Sequence, residues 1–201
     1  MIQLGPIIMR AWERTDLEYV HRWENDFETM LYSRGTPHHA KGLEQIERYF
    51  EEEIKRDDRL HYIVLLRESM EPIGTAVIRL QNGGNVPRGN IGTYLDRQYW
   101  NRGLGKIITL SLLEICFYHK NLEKCEACSI EYNKRAHRVL ESCGFKLYGK
   151  SRKAAFVLGR KWDWYCFDIL REEYMEEREK LIMKVLGDEG KEYLKYLNDI
   201  I

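Results

Sequence analysis

The sequence lacks an excess of charge of either sign. It carries 32 basic and 32 acidic side chains over 201 residues, so its formal net charge is zero. Domains that depend on bulk attraction to a phosphate backbone usually carry a clustered basic excess. The balance therefore argues against a nucleic-acid partner, and only a local basic patch is compatible with it.

Long apolar runs are also missing. The longest uncharged apolar run, near residues 107–113, has about a third of the roughly 20 residues that a membrane-spanning helix needs. The first residues do not read as a basic segment followed by an apolar one and a small-residue cleavage site. We therefore expect a cytoplasmic protein with no membrane partner.

Cysteine is scarce and odd in number, which does not fit the disulfide framework of a small secreted protein. The five cysteines are Cys116, Cys125, Cys128, Cys143 and Cys166. Cys125 and Cys128 have redox or zinc spacing, but the strand predicted over residues 124–130 points the two sulfurs to opposite faces. A metal site is not expected, because two further ligands are lacking. Cys116, Cys128 and Cys143 fall in segments that are predicted to be buried, so a cysteine nucleophile is not expected either.

The chain does have enough apolar side chains for a folded core. Hydrophobic residues make up 44% of it and aromatic residues 12%, which argues against wholesale disorder. After Leu170 the composition changes to a charged, helix-favouring segment with one break at Gly187. We therefore predict one domain over residues 1–173 and a helical C-terminal extension over residues 174–201.

Hydrophobic periodicity predicts that strands and helices alternate along the chain. Apolar residues at helical spacing, including Leu17 and Trp23, predict an early amphipathic helix. Residues 26–42 contain turn formers together with His38 and His39, and they predict a solvated loop. The other predicted strands lie at residues 7–10, 61–66, 73–80, 90–95, 124–130, 145–150 and 162–170, and the other predicted helices at 43–55, 107–118 and 133–142.

A glycine-containing turn separates the strand at residues 90–95 from the next helix. Its sequence, Arg-Gly-Leu-Gly-Lys at residues 102–106, places backbone N–H groups at the positive end of the helix dipole, which suits a phosphate or pyrophosphate. A P-loop would need glycine in place of Trp100 and serine or threonine in place of Ile107. A dinucleotide-binding turn would need glycine in place of Ile108. Both of these nucleotide folds are therefore disfavoured.

Several segments, in order, resemble the GNAT superfamily of N-acetyltransferases. Trp-Asn-Arg-Gly-Leu-Gly at residues 100–105 is similar to the acetyl-CoA motif of that family. Tryptophan in first place is typical of its branch of ribosomal-protein N-terminal and spermidine acetyltransferases. Residues 91–100 resemble the strand before this motif, and residues 133–145 resemble the second family motif. The resemblance covers roughly residues 7–173.

The resemblance implies an α/β (α+β) fold, with a mixed, mostly antiparallel central sheet flanked by helices. It also implies acetyl-CoA as co-substrate and no metal. The amides of residues 102–106 are expected to bind the pyrophosphate, and the N–H near Tyr94 or Leu95 is expected to polarise the thioester carbonyl. The residues predicted to contact acetyl-CoA are Tyr94, Leu95, Trp100, Asn101, Arg102, Gly103, Leu104, Gly105, Lys106 and Asn133.

The sequence departs from the family pattern at the catalytic positions. Leu140 stands where the family usually has a tyrosine that protonates the leaving thiolate, and Asn90 replaces a familiar glutamate. The nearest candidates for acid and base are Glu131 and Tyr132, at the end of the next strand, and Tyr94 in the meander. Catalysis by positioning, with a water relay, is an alternative.

In this family the first helices, their connecting loop and the last hairpin set the acceptor specificity. Here the acids of these segments, Glu24, Asp26, Glu28 and Asp163, suit a cationic amine, and the same segments contain Trp23, Tyr32, Trp162 and Trp164. The leading hypothesis is direct transfer, in a ternary complex, from acetyl-CoA to the N-terminal α-amine of a protein or peptide. A polyamine or another small amine is the alternative acceptor, and a non-catalytic acyl-CoA-binding module is the alternative class.

The C-terminal extension has an apolar face of its own. Tyr174, Leu181, Ile182 and Val185 recur at helical spacing. We therefore predict that the extension packs either on its own domain or on a second subunit, which would make a homodimer.

Overall fold

One eight-stranded sheet organises the described part of the chain, which comprises residues 1–33, 39–81 and 84–200 of a computed structural model. The strands are β1 Ile2–Leu4, β2 Ile7–Ala11, β3 Arg59–Leu66, β4 Pro72–Gln81, β5 Arg88–Leu95, β6 Lys124–Ile130, β7 Lys146–Val157 and β8 Arg160–Leu170. The helices are α1 Leu17–Asn25, α2 Phe27–Ser33, α3 Leu43–Glu53, α4 Leu104–Leu113, α5 Lys134–Ser142, α6 Arg171–Leu186 and α7 Asp188–Ile200. The strand order is β1-β2-β3-β4-β5-β6-β8-β7, and the pair β5–β6 is the parallel one.

Different helices cover the two faces of the sheet, because side chains alternate along each strand. On β3, Ile63 and Leu65 join the cluster that α1 and α3 form with the sheet. Val64 points the other way and joins the larger cluster built around α4. Among the helices of the described residues, none has both the length and the apolar character that crossing a membrane requires.

The strands β5 and β6 run side by side for three residues. Arg88, Gly89 and Asn90 have Cα partners at the start of β6. Beyond Asn90, β5 continues to pair with β4 as far as Leu95, whereas β6 pairs with β8 as far as Ile130. A gap therefore opens inside the sheet, and the edge of β5 along residues 91–95 faces it.

The predicted fold class is confirmed, but the predicted loop at residues 26–42 is wrong in its first half. α2 occupies Phe27–Ser33 there. The Asp26 carboxylate accepts the N–H of Thr29 at 2.8 Å, which is the capping interaction that starts a helix. His38 lies outside the described residues, and His39 is exposed.

Most predicted boundaries are within two residues of the observed ones, and three elements depart further from the prediction. β1 was not predicted, because three residues are too few to show a periodicity. β7 runs to Val157 rather than to residue 150, and its pairing with β8 shifts register twice. The helix predicted at residues 107–118 starts earlier, at Leu104, and ends as a π-helical turn over Glu114–His119.

The cysteine pair on β6 behaves as the alternation predicts, since Cys125 is buried and Cys128 is exposed. The same observation makes the prediction of burial wrong for Cys128. One face of β6, with Cys125, packs on the α4 core, and Cys128 lies on the opposite face. Burial therefore differs between the two cysteines.

The C-terminal helices α6 and α7 pack on the rest of the chain around one buried carboxylate. Glu114 is 0% exposed and lies in the π-helical turn that follows α4. It accepts two hydrogen bonds from Arg178, at 2.7 and 2.6 Å, and one each from the hydroxyls of Tyr174, at 2.6 Å, and Tyr193, at 2.8 Å. Burial acts to raise the pKa of Glu114, but these donors lower it below its usual value, so the carboxylate stays charged and neutralises Arg178.

Of the two predicted packing modes, the structure shows the first. Tyr174 and Leu181 belong to the main core of the same chain. The domain boundary at residue 173 and a homodimer stay predictions.

Glu114→Ala is expected to lower the free energy of unfolding by about 3–5 kcal/mol, because it leaves the Arg178 guanidinium buried without its counter-charge. Urea denaturation measures the loss. Glu177→Ala is the matched control on α6: Glu177 pairs with Lys180 at the surface, and its removal is expected to cost no more than about 0.5 kcal/mol. Equal losses in the two variants would contradict a central role for Glu114.

Candidate functional site

The turn between β5 and α4 leaves four consecutive amides without a partner. Within the described part of the chain, no group accepts a hydrogen bond from the N–H of Arg102, Gly103, Leu104 or Gly105. The N–H of Lys106 donates to the carbonyl of Gly103 at 3.0 Å, so the prediction that its amide is free is wrong. The four free amides lie at the positive end of the α4 dipole, where an anion binds favourably.

The backbone of this turn depends on residues that tolerate positive φ. Gly103 has a φ of 79° and caps α4, and Asn101 has a φ of 61°. A Cβ on Gly103 would meet no atom within 4 Å, so the requirement for glycine comes from the backbone and not from crowding. Gly105 faces α5, where an added Cβ would lie 3.5 Å from Val139. The backbone therefore requires glycine at position 103, whereas a Cβ at position 105 would make an ordinary van der Waals contact.

Trp100 fixes the turn to the strand that precedes it. Its indole N–H donates to the carbonyl of Leu95 at 2.9 Å, and the Arg135 guanidinium lies 3.8 Å from its ring centroid. Asn133, also predicted to contact acetyl-CoA, uses both ends of its amide within the protein. Its oxygen accepts the N–H of Ala136 at 3.1 Å and its nitrogen donates to the carbonyl of Tyr32 at 2.8 Å. Each side chain thus has a positioning role, whatever it contacts in addition.

The register of β5 decides between Tyr94 and Leu95. The N–H of Asp96 donates to Ile73 on β4 at 2.8 Å, and Tyr94 is opposite Thr75 in the same ladder. Because N–H groups alternate between the two edges of a strand, the amide of Leu95 points the other way, into the gap. Leu95 is therefore the better placed of the two predicted residues.

Asp96 connects this strand end to the acceptor side of the sheet. Its carboxylate accepts hydrogen bonds from the indole N–H of Trp23 at 3.0 Å and from Arg22 at 3.1 Å, both on α1. Trp23 is fully buried, so the link runs through the core and not over the surface.

A cavity of about 350 Å³ lies above β3, β4 and β5, on the face that α1 and α3 cover. Gly92 forms part of its floor, and the Arg79 guanidinium lies beside it, since a Cβ on Gly92 would be 3.2 Å from Nη1 of Arg79. The cavity reaches the gap, since Cys128 and Trp164, on β6 and β8, also line it.

Of the predicted catalytic residues, the structure places Tyr94 in this cavity. Its hydroxyl donates to Glu24 at 3.3 Å. The hydroxyl of Tyr132 instead donates to the carbonyl of Leu31 at 2.5 Å, and burial raises the pKa of this phenol. Glu131 accepts the N–H of Asp163 at 3.4 Å. Neither Tyr132 nor Glu131 lines the cavity, so their catalytic roles stay predictions that this geometry disfavours.

The four predicted acceptor acids do not act together, and Asp163, which accepts the N–H of Lys153 at 2.8 Å, does not line the cavity. Glu24 lines the cavity and pairs with Lys41 at 2.7 Å. Asp26 and Glu28 lie within 3.6 and 3.0 Å of Arg97, away from the cavity. Glu24 is thus the single carboxylate among the described residues that line it.

Sequence reasoning missed His61, which lines the cavity from β3. Its Nε2 lies 2.6 Å from Glu53, and Arg59 donates to both oxygens of that carboxylate at 3.0 and 2.9 Å. An ionised carboxylate accepts only, so Nε2 carries the proton and Nδ1 is left as an acceptor. Within the described chain no group donates to Nδ1. Burial lowers the pKa of His61 although Glu53 acts to raise it, so the ring is neutral at pH 7.

Nothing in the sequence pointed to this pair. His61 occurs in a run of β-forming residues. Glu53 is the last residue of an acidic helix, and its sequence is that of an ordinary solvent-exposed helix. The turn between α3 and β3 brings them together. Among the described residues, no three His, Cys, Asp or Glu side chains are grouped as metal ligands.

Comparison with known proteins agrees with this geometry. Residues 7–146 match the family model described as an acetyltransferase (GNAT) domain, so the chain belongs to the GNAT acetyltransferase family. This confirms the predicted family. The match ends before most of β7, all of β8 and the C-terminal helices.

Two curated relatives come from Bacillus. The chain is 25% identical over 170 residues to the uncharacterized N-acetyltransferase YnaD of Bacillus subtilis, covering 84% of this chain and 95% of that protein. It is 30% identical over 116 residues to the uncharacterized N-acetyltransferase p20 of Bacillus licheniformis, covering 56% of this chain and 63% of that protein. The chain thus spans just under two thirds of p20.

Solved structures share the fold at lower identity. A spermidine N-acetyltransferase from Vibrio cholerae, in complex with CoA and spermine, matches with a TM-score of 0.78 and 21% identity over 85% of this chain and 98% of that one. A GNAT-family acetyltransferase from Bacillus anthracis matches with a TM-score of 0.73 and 23% identity, also over 85% and 98%. At these identities the likeness shows the shared fold.

Proposed function

We propose that this protein moves the acetyl group of acetyl-CoA to a primary amine by direct transfer in a ternary complex. The observation that carries the proposal is the row of four free amides at the start of α4, beside the open edge of β5. An anion and an extended amide chain would both find partners there, and CoA supplies both in its pyrophosphate and pantetheine groups. Membership of the GNAT family supports the same activity.

On the cofactor side, backbone groups would make the main contacts and positively charged side chains would add to them. The N–H groups of residues 102–105 would bind the pyrophosphate, with Arg102 and Lys106 adding positive charge. The free edge of β5 would pair with the amides of the pantetheine arm, as an added strand does. The N–H of Leu95 would then donate to the thioester carbonyl and stabilise the negative charge that develops on its oxygen.

The acceptor side must bind an ammonium and remove one proton from it. Glu24, with the hydroxyl of Tyr94 beside it, gives the cavity a negative end for the ammonium. We assign Nδ1 of His61 as the group that accepts this proton. Because β3 and β5 are two strand spacings apart, about 10 Å, the proton would cross through cavity water. The neutral amine then attacks the thioester carbon. As the C–S bond breaks, the nitrogen loses its second proton and the departing CoA thiolate takes up one proton, while the first proton leaves His61 to water, which leaves His61 neutral again.

The charges of the cavity favour a peptide α-amine over a polyamine. A polyamine carries several ammonium groups and needs several carboxylates, whereas Glu24 is the one carboxylate among the described lining residues, and it already pairs with Lys41. Arg79 also lines the cavity and suits the carbonyl or carboxylate groups of a peptide. The polyamine alternative is supported by the spermidine acetyltransferases that share the fold.

Calorimetry with acetyl-CoA, followed by a free-thiol release assay, tests this function. We expect binding, and thiol release at least about tenfold faster in kcat/KM for peptides with a free amino terminus than for spermidine or spermine. The same peptides with a blocked amino terminus are the control. Faster release with polyamines would select the alternative acceptor. Binding without release on any amine would leave a non-catalytic acyl-CoA-binding module.

Gly103→Ala is expected to weaken acetyl-CoA binding about tenfold, because alanine resists the positive φ that aims the free amides. Gly159→Ala is the matched control. Gly159 has a φ of 72° in the β7–β8 hairpin turn, and its Cβ would also meet no atom within 4 Å. Both variants are expected to lose about 1–2 kcal/mol of stability, and only the first should lose affinity in calorimetry. An unchanged affinity in Gly103→Ala would contradict the anion site.

His61→Gln is expected to lower kcat at pH 7 about 100-fold or more, since it removes the base and keeps a polar side chain. The wild-type rate should also fall as the pH drops below the usual histidine pKa, because protonated His61 cannot accept a proton. Glu53→Gln should move that limb to lower pH, since Glu53 acts to raise the pKa. The exposed His119, changed to Gln, is the control. A His61→Gln enzyme within twofold of wild type would exclude this base.

A further inference from the structure

Cys128 on β6 and Cys166 on β8 are directly opposite each other, with their sulfurs 2.9 Å apart. The hydrogen-bond ladder between β6 and β8 determines whether they form a hydrogen-bonded or a non-hydrogen-bonded pair. The N–H of Glu131 donates to Asp163 at 3.0 Å, and the register alternates from there, so Cys128 and Cys166 form a non-hydrogen-bonded pair.

This register brings the two residues within reach of a covalent bond. Non-hydrogen-bonded pairs have Cα atoms about 4.5 Å apart, inside the range of roughly 4.4–6.8 Å found for disulfides. The sulfurs are closer than an ordinary non-bonded contact, and they need to approach by only about 0.9 Å to reach the S–S bond length. Small side-chain rotations would close the bond.

Access distinguishes this pair from the other cysteines. Cys128 is exposed and Cys166 is partly so, whereas Cys116, Cys125 and Cys143 are buried. A small oxidant therefore reaches the β6–β8 pair, while the neighbouring Cys116 and Cys125 are enclosed in the main core.

We propose that Cys128 and Cys166 are a covalent modification site, a thiol pair that closes to a cross-strand disulfide by exchange with a small disulfide oxidant such as oxidised glutathione. One protein thiolate attacks the oxidant, forms a mixed disulfide and releases one glutathione thiolate. The second protein thiolate attacks the mixed disulfide and releases the other. The two cysteines lose two electrons and two protons, and glutathione disulfide gains the electrons as two thiols.

The surroundings of Cys128 set the pace of this reaction. Partial desolvation of its sulfur, the adjacent Cys166 and the carboxylate of Glu126 raise the pKa of Cys128 to about 12. Little thiolate forms at neutral pH, so closure is slow there and accelerates as the pH rises.

Because Cys128 and Trp164 line the cavity, the new bond lies at the wall that faces the gap between β5 and β6. The inference stands independently of the acetyl-transfer proposal.

The test uses the full chain, equilibrated with excess oxidised glutathione at pH 8.5 and then alkylated. Before alkylation we expect an intact mass lower by two hydrogens than that of the reduced chain, after alkylation of the denatured chain two fewer alkyl groups, and a non-reduced digest in which the peptides with Cys128 and Cys166 are joined. Cys116 and Cys125 should be recovered as free thiols, which makes them the internal control. Thermal melting should shift upwards by about 5 °C and return after dithiothreitol, because the bond constrains the unfolded chain.

Cys128→Ser and Cys166→Ser are expected to melt near the reduced wild type and to show no upward shift with oxidised glutathione. A wild-type chain that retains both thiols at equilibrium would overturn the proposal. A chain that stops at a glutathione adduct on Cys128, or that joins a different pair of cysteines, would overturn it as well.

Discussion

The separation of β5 from β6 is the constraint on which the rest of the candidate site depends. Inside a folded protein almost every backbone N–H and C=O group has a hydrogen-bond partner. Here one edge of a central strand loses its neighbour after Asn90, and the amides that open α4 lie at the end of the same strand. Unpaired backbone groups of β5 and of the start of α4 thus lie along one stretch of the chain, and a ligand with an anion and a chain of amides would find partners for both.

A buried ion pair fixes the opposite end of α4. Glu114 binds Arg178, Tyr174 and Tyr193, so two helices from the end of the chain close over the helix that starts the anion site. A buried ion pair is costly to desolvate, and its value lies in fixing one arrangement once every donor is satisfied. The π-helical turn at Glu114–His119 is where this carboxylate is presented. The extension is therefore part of the support of α4.

Local patterns were readable from the sequence, and long-range pairings were not. The glycine turn, the strand at Lys124–Ile130 and the break at Gly187 follow from φ preference and periodicity, which neighbouring residues express together. His61 and Glu53, Glu114 and Arg178, and Cys128 and Cys166 are joined only by the packing of separate elements. Apart from Asn133, the residues predicted to contact acetyl-CoA lie in one stretch of the chain, so the turn and the helix start that they form could be predicted from local pattern, while their contact with acetyl-CoA stays a prediction. The cavity is lined from α1, α2, α3 and five strands, and of its lining residues Tyr94, Glu24 and Trp164 were named for the site from the sequence.

Asp96 would couple ligand binding at the end of β5 to ligand binding in the cavity below α1. The carboxylate follows the last residue of β5 and accepts hydrogen bonds from Trp23 and Arg22 of α1. Any ligand that orders the end of β5 therefore also restricts the helix above the cavity, and the second ligand meets a helix whose conformational entropy has already been reduced. Linkage makes this effect reciprocal, since an acceptor that orders α1 must tighten the β5 end by the same free energy. For the proposed reaction, one short aspartate would therefore link the binding of the two substrates without a domain movement.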